Sequence, residues 1–298
     1  MSWPPDSAGG TPEPPAPRRR PHGWRGALGA VADHGFLIAL AAVCLLPLYV
    51  MLIASFERAA DFDGAALLPT LSPTFENYRT VWTELGFDRM FVNSAVLSLS
   101  AAAIATALAA GAAFGFTRLR FAGRGLLLAG VVATMAIPAI VVIVPLSVLM
   151  TDLGLVDRLP SAILAEAGLL LPFAIFLLHT YMRELPSELF EAAEVDGASR
   201  WRQFREIALP LARPALATTF LVSAIYAWND LLIPLVLWQA EQLTTLMVGL
   251  ALLGPSRAGT QNVPLLMAGV TISILPLAVA FAVARRAVVR GLVEGGER

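Results

Sequence analysis

The chain contains no lysine. All 21 of its basic residues are arginines. A phosphate-cradling loop of the G-x-x-x-x-G-K-[ST] type depends on a lysine that reaches the β- and γ-phosphates, so none can exist here. Cysteine is nearly as scarce. Cys44 stands alone, which excludes an internal disulfide and a thiolate-bound metal cluster. The three histidines, His22, His34 and His179, are scattered, and no metal site is expected of them. Charge itself is sparse, at 14% of residues, where soluble domains carry about a quarter. Neither H-E-x-x-H nor G-x-S-x-G occurs, so a membrane-embedded enzyme has no support.

What replaces charge is apolar sequence. Of the 298 residues 57% are hydrophobic, and mean hydropathy is +0.71. The apolar residues fall in six blocks, at 35–56, 90–117, 125–151, 159–182, 214–239 and 262–284. Each is long enough to cross a hydrocarbon core of about 30 Å as a helix rising about 1.5 Å per residue. Lipid cannot satisfy open backbone groups, so the spans must be helical. The expected fold class is all-α integral membrane with six spans. Pro47, Pro138, Pro145, Pro172, Pro234 and Pro276 lie inside them and should kink them. The second block repeats Ser94, Ser98, Ala102, Thr106 and Ala110 at steps of four, a small-residue stripe that lets another helix approach closely.

Residues 1–33 read as a disordered tail, rich in proline up to Pro21 and carrying Arg18, Arg19, Arg20 and Arg25. The first apolar block is too long for a cleaved signal, so it reads as a retained span. With the tail placed in the cytoplasm, sixteen of the 21 arginines fall in inner segments and five in outer ones. That asymmetry puts both termini, including a short tail at 293–298, and the loop at 183–213 inside. The localisation expected is a bacterial inner membrane.

The 183–213 loop is the most informative stretch. Pro186 suits the first turn of a helix and Glu188 its positive dipole end. Leu189, Ala192 and Ala193 form a small apolar face. Gly197 is a helix stop, and Ser199 can cap a second helix. Trp201, Phe204 and Ile207 share one face of that helix, which Pro210 should end. The result is a helix–turn–helix along the inner membrane surface. Residues alone leave two readings open, a docking element for a soluble partner or an amphipathic linker against headgroups.

The run Glu191-Ala192-Ala193-Glu194-Val195-Asp196-Gly197-Ala198, followed by Ile207, Leu209 and Pro210, resembles the EAA loop of bacterial ABC importer permeases. The likeness spans residues 35–292 and narrows to the smaller carbohydrate permease of the maltose-transporter type. Phe75-Glu76-Asn77-Tyr78, Asn93-Ser94, Ala227-Trp228-Asn229-Asp230 and Thr245–Leu250 match its other signatures, with Met247 in place of a proline. Arg285-Arg286 and Gly291-Leu292 match its ending, while the segment 294–298 departs from it. The resemblance implies that Glu191, Ala192, Ala193, Asp196, Gly197, Ala198, Ile207, Leu209 and Pro210 couple to an ATP-binding subunit. It implies two such subunits, which hold the ATP and Mg²⁺, so this chain binds no cofactor and does no covalent chemistry. A second permease, an extracytoplasmic solute-binding protein and membrane lipid complete the partners; no nucleic acid is expected.

Polar or aromatic groups within spans are candidates for the solute path: Asn93, Glu166, Tyr226, Trp228, Asn229 and Asp230. For Asn229 and Asp230 a structural role, capping a helix break near Pro234, competes with sugar contact. The alternatives at this stage are an ABC permease for a non-sugar solute, and an ion-coupled secondary transporter in which Glu166 and Asp230 are the linked acids. Against the latter, no repeated half is visible.

Overall fold

A computed structural model describes residues 24–62, 64, 69, 72–253 and 262–295, with backbone alone for 24–32 and 283–295. Every regular element among the described residues is helical. In chain order these are α1 (Trp24–Ser55), α2 (Glu76–Arg79), α3 (Phe87–Arg118), α4 (Arg124–Ala133), α5 (Ala139–Asp152), α6 (Leu159–Arg183) and α7 (Ser187–Val195). They continue as α8 (Arg200–Gln203), α9 (Leu209–Leu211), α10 (Arg213–Asn229), α11 (Leu232–Leu237), α12 (Leu246–Leu253) and α13 (Val263–Gly295). Four helices are long and apolar enough to cross a membrane, and six spans result if each of two bent pairs counts as one.

Residues up to Tyr49 form a unit of their own. There α1 starts at Trp24, nine residues before the expected end of the tail. Beyond Pro21 no proline interrupts the chain before Pro47, so nothing stops the helix from extending outward through that segment. Residues 1–23 lie outside the described residues. At the other end α13 runs on to Gly295, past the expected span limit at 284 and into the expected short tail, of which 296–298 are not described.

The second unit, residues 50–298, is organised around α3. Ser94, Ser98, Ala102, Thr106 and Ala110 are all buried, as are Ala101, Ala105, Ala109 and Ala113. Two adjacent stripes of small side chains let α6 and α10 pack along α3. Close backbone approach is the source of attraction here, because lipid gives apolar helices no hydrophobic reason to associate.

Two blocks differ from a simple kinked span. The third is two helices, reaching Ala136 and restarting at Ala139, bent 103° apart. Ile137 precedes Pro138, and the proline ring drives such a residue out of the helical region. Ile137 sits at φ −85, ψ 117 and Pro138 at φ −60, ψ 135, and two successive extended residues redirect the chain. The fifth block ends its main helix at Asn229. The 17 residues of α10 reach only about 26 Å, and the remainder is the six-residue α11 after a break at Asp230-Leu231. Pro47, Pro145, Pro172 and Pro276 are carried inside continuous helices.

The end of the unit away from the 183–213 loop is stapled by polar bonds. Asp157 has φ 57, and its Oδ1 accepts from the amides of Gln239 and Ala240 at 2.6 and 2.8 Å. Trp238 Nε1 donates to Arg158 O at 2.9 Å. Asn77, buried beneath α2, donates to Ser55 O and Glu57 O at 2.9 and 2.7 Å. The apolar stretch after Leu243, too short to span, forms α12. It packs on α3 and α13, and Gly249 lies directly against Met90.

Candidate coupling site

The loop folds as a hairpin whose turn follows from its sequence. At the end of α7 the amide of Gly197 donates to Glu194 O at 3.0 Å, and that of Ala198 to Ala193 O at 2.8 Å. This pair of bonds closes a helix end only when the residue between takes a left-handed conformation. Gly197 does, at φ 76, a value that costs a side-chain-bearing residue dearly and glycine almost nothing. Two residues on, Ser199 Oγ accepts from Arg202 N at 3.3 Å and caps α8. Gln203, 1% exposed, ties the turn from within. Its Nε2 donates to Ala198 O at 3.2 Å, and its Oε1 accepts from Arg200 at 3.1 Å. Arg200 also pairs with Glu194 across the hairpin at 2.7 Å.

What anchors the hairpin differs from the expected face. Leu189 and Ala192 are exposed and Ala193 half-buried, whereas Phe190 is buried. Its ring approaches Phe114 at 6.5 Å, and the Arg118 guanidinium lies 3.9 Å over it. Arg118 is itself held, donating to Leu185 O at 2.8 Å. A cation over an aromatic face is attracted by the ring's quadrupole, so the last residue of α3 clamps α7. Phe190 was legible only as an apolar residue beside the motif, and Arg118 only as a positive flank.

In the second arm Phe204 and Ile207 pack onto the core formed by α3, α6 and α10, while Trp201 remains 68% exposed and only touches Phe204. The three do not share a buried face: Phe204 and Ile207 pack on the core through the π turn Phe204–Ala208, while Trp201, one turn earlier, stays exposed. Nor does Pro210 end the helix. The helical course continues to Leu211 and bends 74° into α10. The π turn lies immediately before the proline, where the missing N–H disturbs the four-residue ladder. Leu209 packs on the same core, and Pro210 is half-buried.

Glu191, Ala192, Asp196 and Gly197 are exposed, while Ala193 and Ala198 are half-buried. Glu191 and Glu194 border a cavity of about 800 Å³, lined also by Arg118, Arg120, Arg124 and Arg200.

The candidates for the solute path separate. Asn93 donates to Gln242 O and Thr244 O, both at 2.9 Å, so its amide group holds the segment before α12. Trp228 is 7% exposed. Its Nε1 donates to Ser273 O at 3.2 Å, and its ring meets Phe91 edge-on at 5.4 Å. Asn229 bonds back to Ile225 O at 2.7 Å and closes α10. Asp230 Oδ2 accepts from Ile233 N at 2.8 Å and caps the start of α11. Tyr226, by contrast, is 62% exposed. With Phe173, 6.2 Å away edge-on, it lines a cavity of about 580 Å³ beside the α4–α5 bend. Glu166 is 5% exposed, and its Oε2 has no partner among the described residues.

Long apolar helices, two helix pairs bent by 103° and 74°, and an exposed polar hairpin make the architecture of a membrane-embedded permease. The family model for the inner membrane component of binding-protein-dependent transport systems matches residues 103–294, more than half of the chain, and the chain belongs to that family. It is 32% identical over 251 residues to the trehalose transport system permease protein SugB of Mycobacterium tuberculosis, covering 84% of this chain and 91% of that one. It is 29% identical to the diacetylchitobiose uptake system permease protein NgcG of Streptomyces coelicolor, covering 89% and 88%. A crystal structure of a bacterial ABC transporter involved in import of the acidic polysaccharide alginate shares the fold. Its TM-score is 0.76 at 23% identity, covering 89% of this chain and 98% of that one. The chain is a multi-pass permease subunit of an ATP-driven importer, and the ion-coupled alternative gives way to that membership.

Proposed function

We propose that this subunit imports a carbohydrate and that the 187–211 hairpin is the surface on which an ATP-binding subunit docks. The observation that carries the docking reading is the outward set of Glu191, Ala192, Asp196 and Gly197 on a hairpin whose own anchors are Phe190 and Gln203. Small residues at the tip give a narrow profile that fits a groove, and Glu191 offers a charge to a basic partner. The similarity to SugB, of a trehalose transport system, and to NgcG, of a diacetylchitobiose uptake system, supports the carbohydrate class.

One hairpin serves one ATPase domain, so the assembly holds two ATPases, which carry ATP and Mg²⁺. It also holds a second permease and an extracytoplasmic solute-binding protein. This chain does no covalent chemistry. Both termini and the hairpin face the cytoplasm in this reading. Closure of the ATPase pair moves the hairpin, and because Phe190 and Phe204 are packed on the α3–α6–α10 core, the displacement reaches the spans as a rigid push. Along the path, Tyr226 and Phe173 offer aromatic faces to a sugar, and Glu166 supplies an acceptor not already satisfied.

Reconstituted complexes test this. Uptake should require ATP and binding protein, and Glu191→Ala combined with Gly197→Val should abolish it while the permease remains folded. Normal assembly and accumulation by that double variant would remove the hairpin from the mechanism.

A further inference from the structure

The cavity beside the hairpin carries more positive charge than its glutamates offset. Four arginines and two glutamates line its roughly 800 Å³. Glu194 is neutralised by Arg200 at 2.7 Å. Arg118, Arg120 and Arg124 are left against Glu191, a surplus of two positive charges within one concavity. Two of these arginines are pre-positioned. Arg118 is fixed by Phe190 and Leu185 O, and Arg124 by a 3.3 Å bond to Leu119 O. Arg120 is exposed and holds no partner among the described residues. Guanidinium groups converging from fixed stems are suited to phosphate oxygens, which they bind in a planar fork.

The surroundings are apolar. Leu119 and Phe121 at the cavity's edge are 38% and 43% exposed, and Leu126 and Leu127 on the first turn of α4 are 81% and 55% exposed. A basic concavity lined also by exposed Leu119 and Phe121, with exposed Leu126 and Leu127 directly after Arg124 in the chain, at the cytoplasmic end of the spans, matches a phospholipid, whose headgroup and chains need those two surfaces side by side.

We propose that this cavity binds an anionic phosphate group, supplied by a membrane phospholipid. The site borders the hairpin through Glu191 and Phe190, so an occupied cavity buttresses α7 against α3. The inference rests on the coupling reading only for placing this end of the molecule in the cytoplasm.

The test uses the whole importer complex, purified and titrated with phosphatidylglycerol or phosphatidylcholine, with retained lipid read by native mass spectrometry. Wild type should retain phosphatidylglycerol selectively. Arg120→Gln with Arg124→Gln should lower that retention about tenfold, whereas Arg205→Gln, an exposed arginine outside the cavity, should not change it. Arg120→Gln alone, which breaks no bond among the described residues, should give a smaller drop in the same direction if the double variant proves unstable. Competition by inorganic phosphate at millimolar concentration would keep the site and make free phosphate its source. Equal retention of both lipids, with no phosphate competition, would overturn the proposal. Loss of ATPase subunits from the double variant with lipid retention unchanged would overturn it too, assigning the arginines to the protein partner. ATP-driven uptake by wild type in phosphatidylcholine alone reports on coupling independently of either result.

Discussion

In the 187–211 hairpin the residues of the recognisable motif, Glu191, Ala192, Asp196 and Gly197, face outward, and unremarked neighbours hold the structure together. In the 226–230 stretch the arrangement is reversed. Trp228 is buried and bonded to Ser273 O, Asn229 closes α10, and Asp230 caps α11. Both stretches match the pattern of the same family, yet one leaves its residues exposed and the other uses them to break a helix. A motif's chemistry thus depends on which way the backbone turns it. The Trp228 signature reads as structural, which leaves Tyr226 as the aromatic of that stretch open to a solute.

Substitutions can break or sharpen this contrast. The largest effect is expected at the hairpin's hidden anchor. Phe190→Ala empties a buried site beneath Arg118 and should cost about 3–5 kcal/mol. Limited proteolysis should then cut within 187–211, and uptake should be lost although every outward motif residue is intact. Gly197→Ala comes next. A left-handed alanine costs about 1–2 kcal/mol, and open space around the position means that the penalty is conformational rather than steric. ATPase activity uncoupled from uptake is the expected signature.

On the inward side, Trp228→Phe keeps the ring's packing against Phe91 and loses the bond to Ser273 O, at about 1 kcal/mol. A thermal shift with unchanged ligand range is expected. An altered sugar preference would return Trp228 to the solute path. Asp230→Ala removes the cap of α11 at a similar cost of about 1 kcal/mol, and solute-binding competition should not change. Least of all, Glu194→Ala breaks an exposed pair with Arg200 worth about 0.5 kcal/mol. A large loss of coupling there would mean that Glu194 touches the partner directly.

Much of the hairpin was readable one residue at a time. A glycine that stops a helix, a serine that starts one and a proline near each entry are local signals, and Gly197 and Ser199 behave as local chemistry demands. The small-residue stripe from Ser94 to Ala110 was equally legible, because a period of four needs no partner to be seen. The misreadings share a cause. Phe190 and Trp201 are both large and apolar, and their periodicity gave no reason to bury the first and expose the second. The π turn at Phe204–Ala208 precedes Pro210, which announces a disturbance without saying what form it takes. The 103° bend at Pro138 is similar: a proline announces a disturbance, and only the surrounding packing decides whether the helix continues, as at Pro145 and Pro172, or turns a corner.

The sequence by itself determined that this is a helical membrane protein with six apolar blocks and one polar hairpin, because continuous apolar blocks of this length cross hydrocarbon as helices and arginine is confined largely to one set of loops. Tertiary structure alone decided which residues of the motifs are exposed, which side chains clamp the hairpin to the spans, and that Arg118, Arg120 and Arg124 share one cavity with a surplus of positive charge. Those outcomes depend on where α3, α6 and α10 bring distant residues together. Facing is a property of the packed assembly of helices, and a linear order of residues does not contain it.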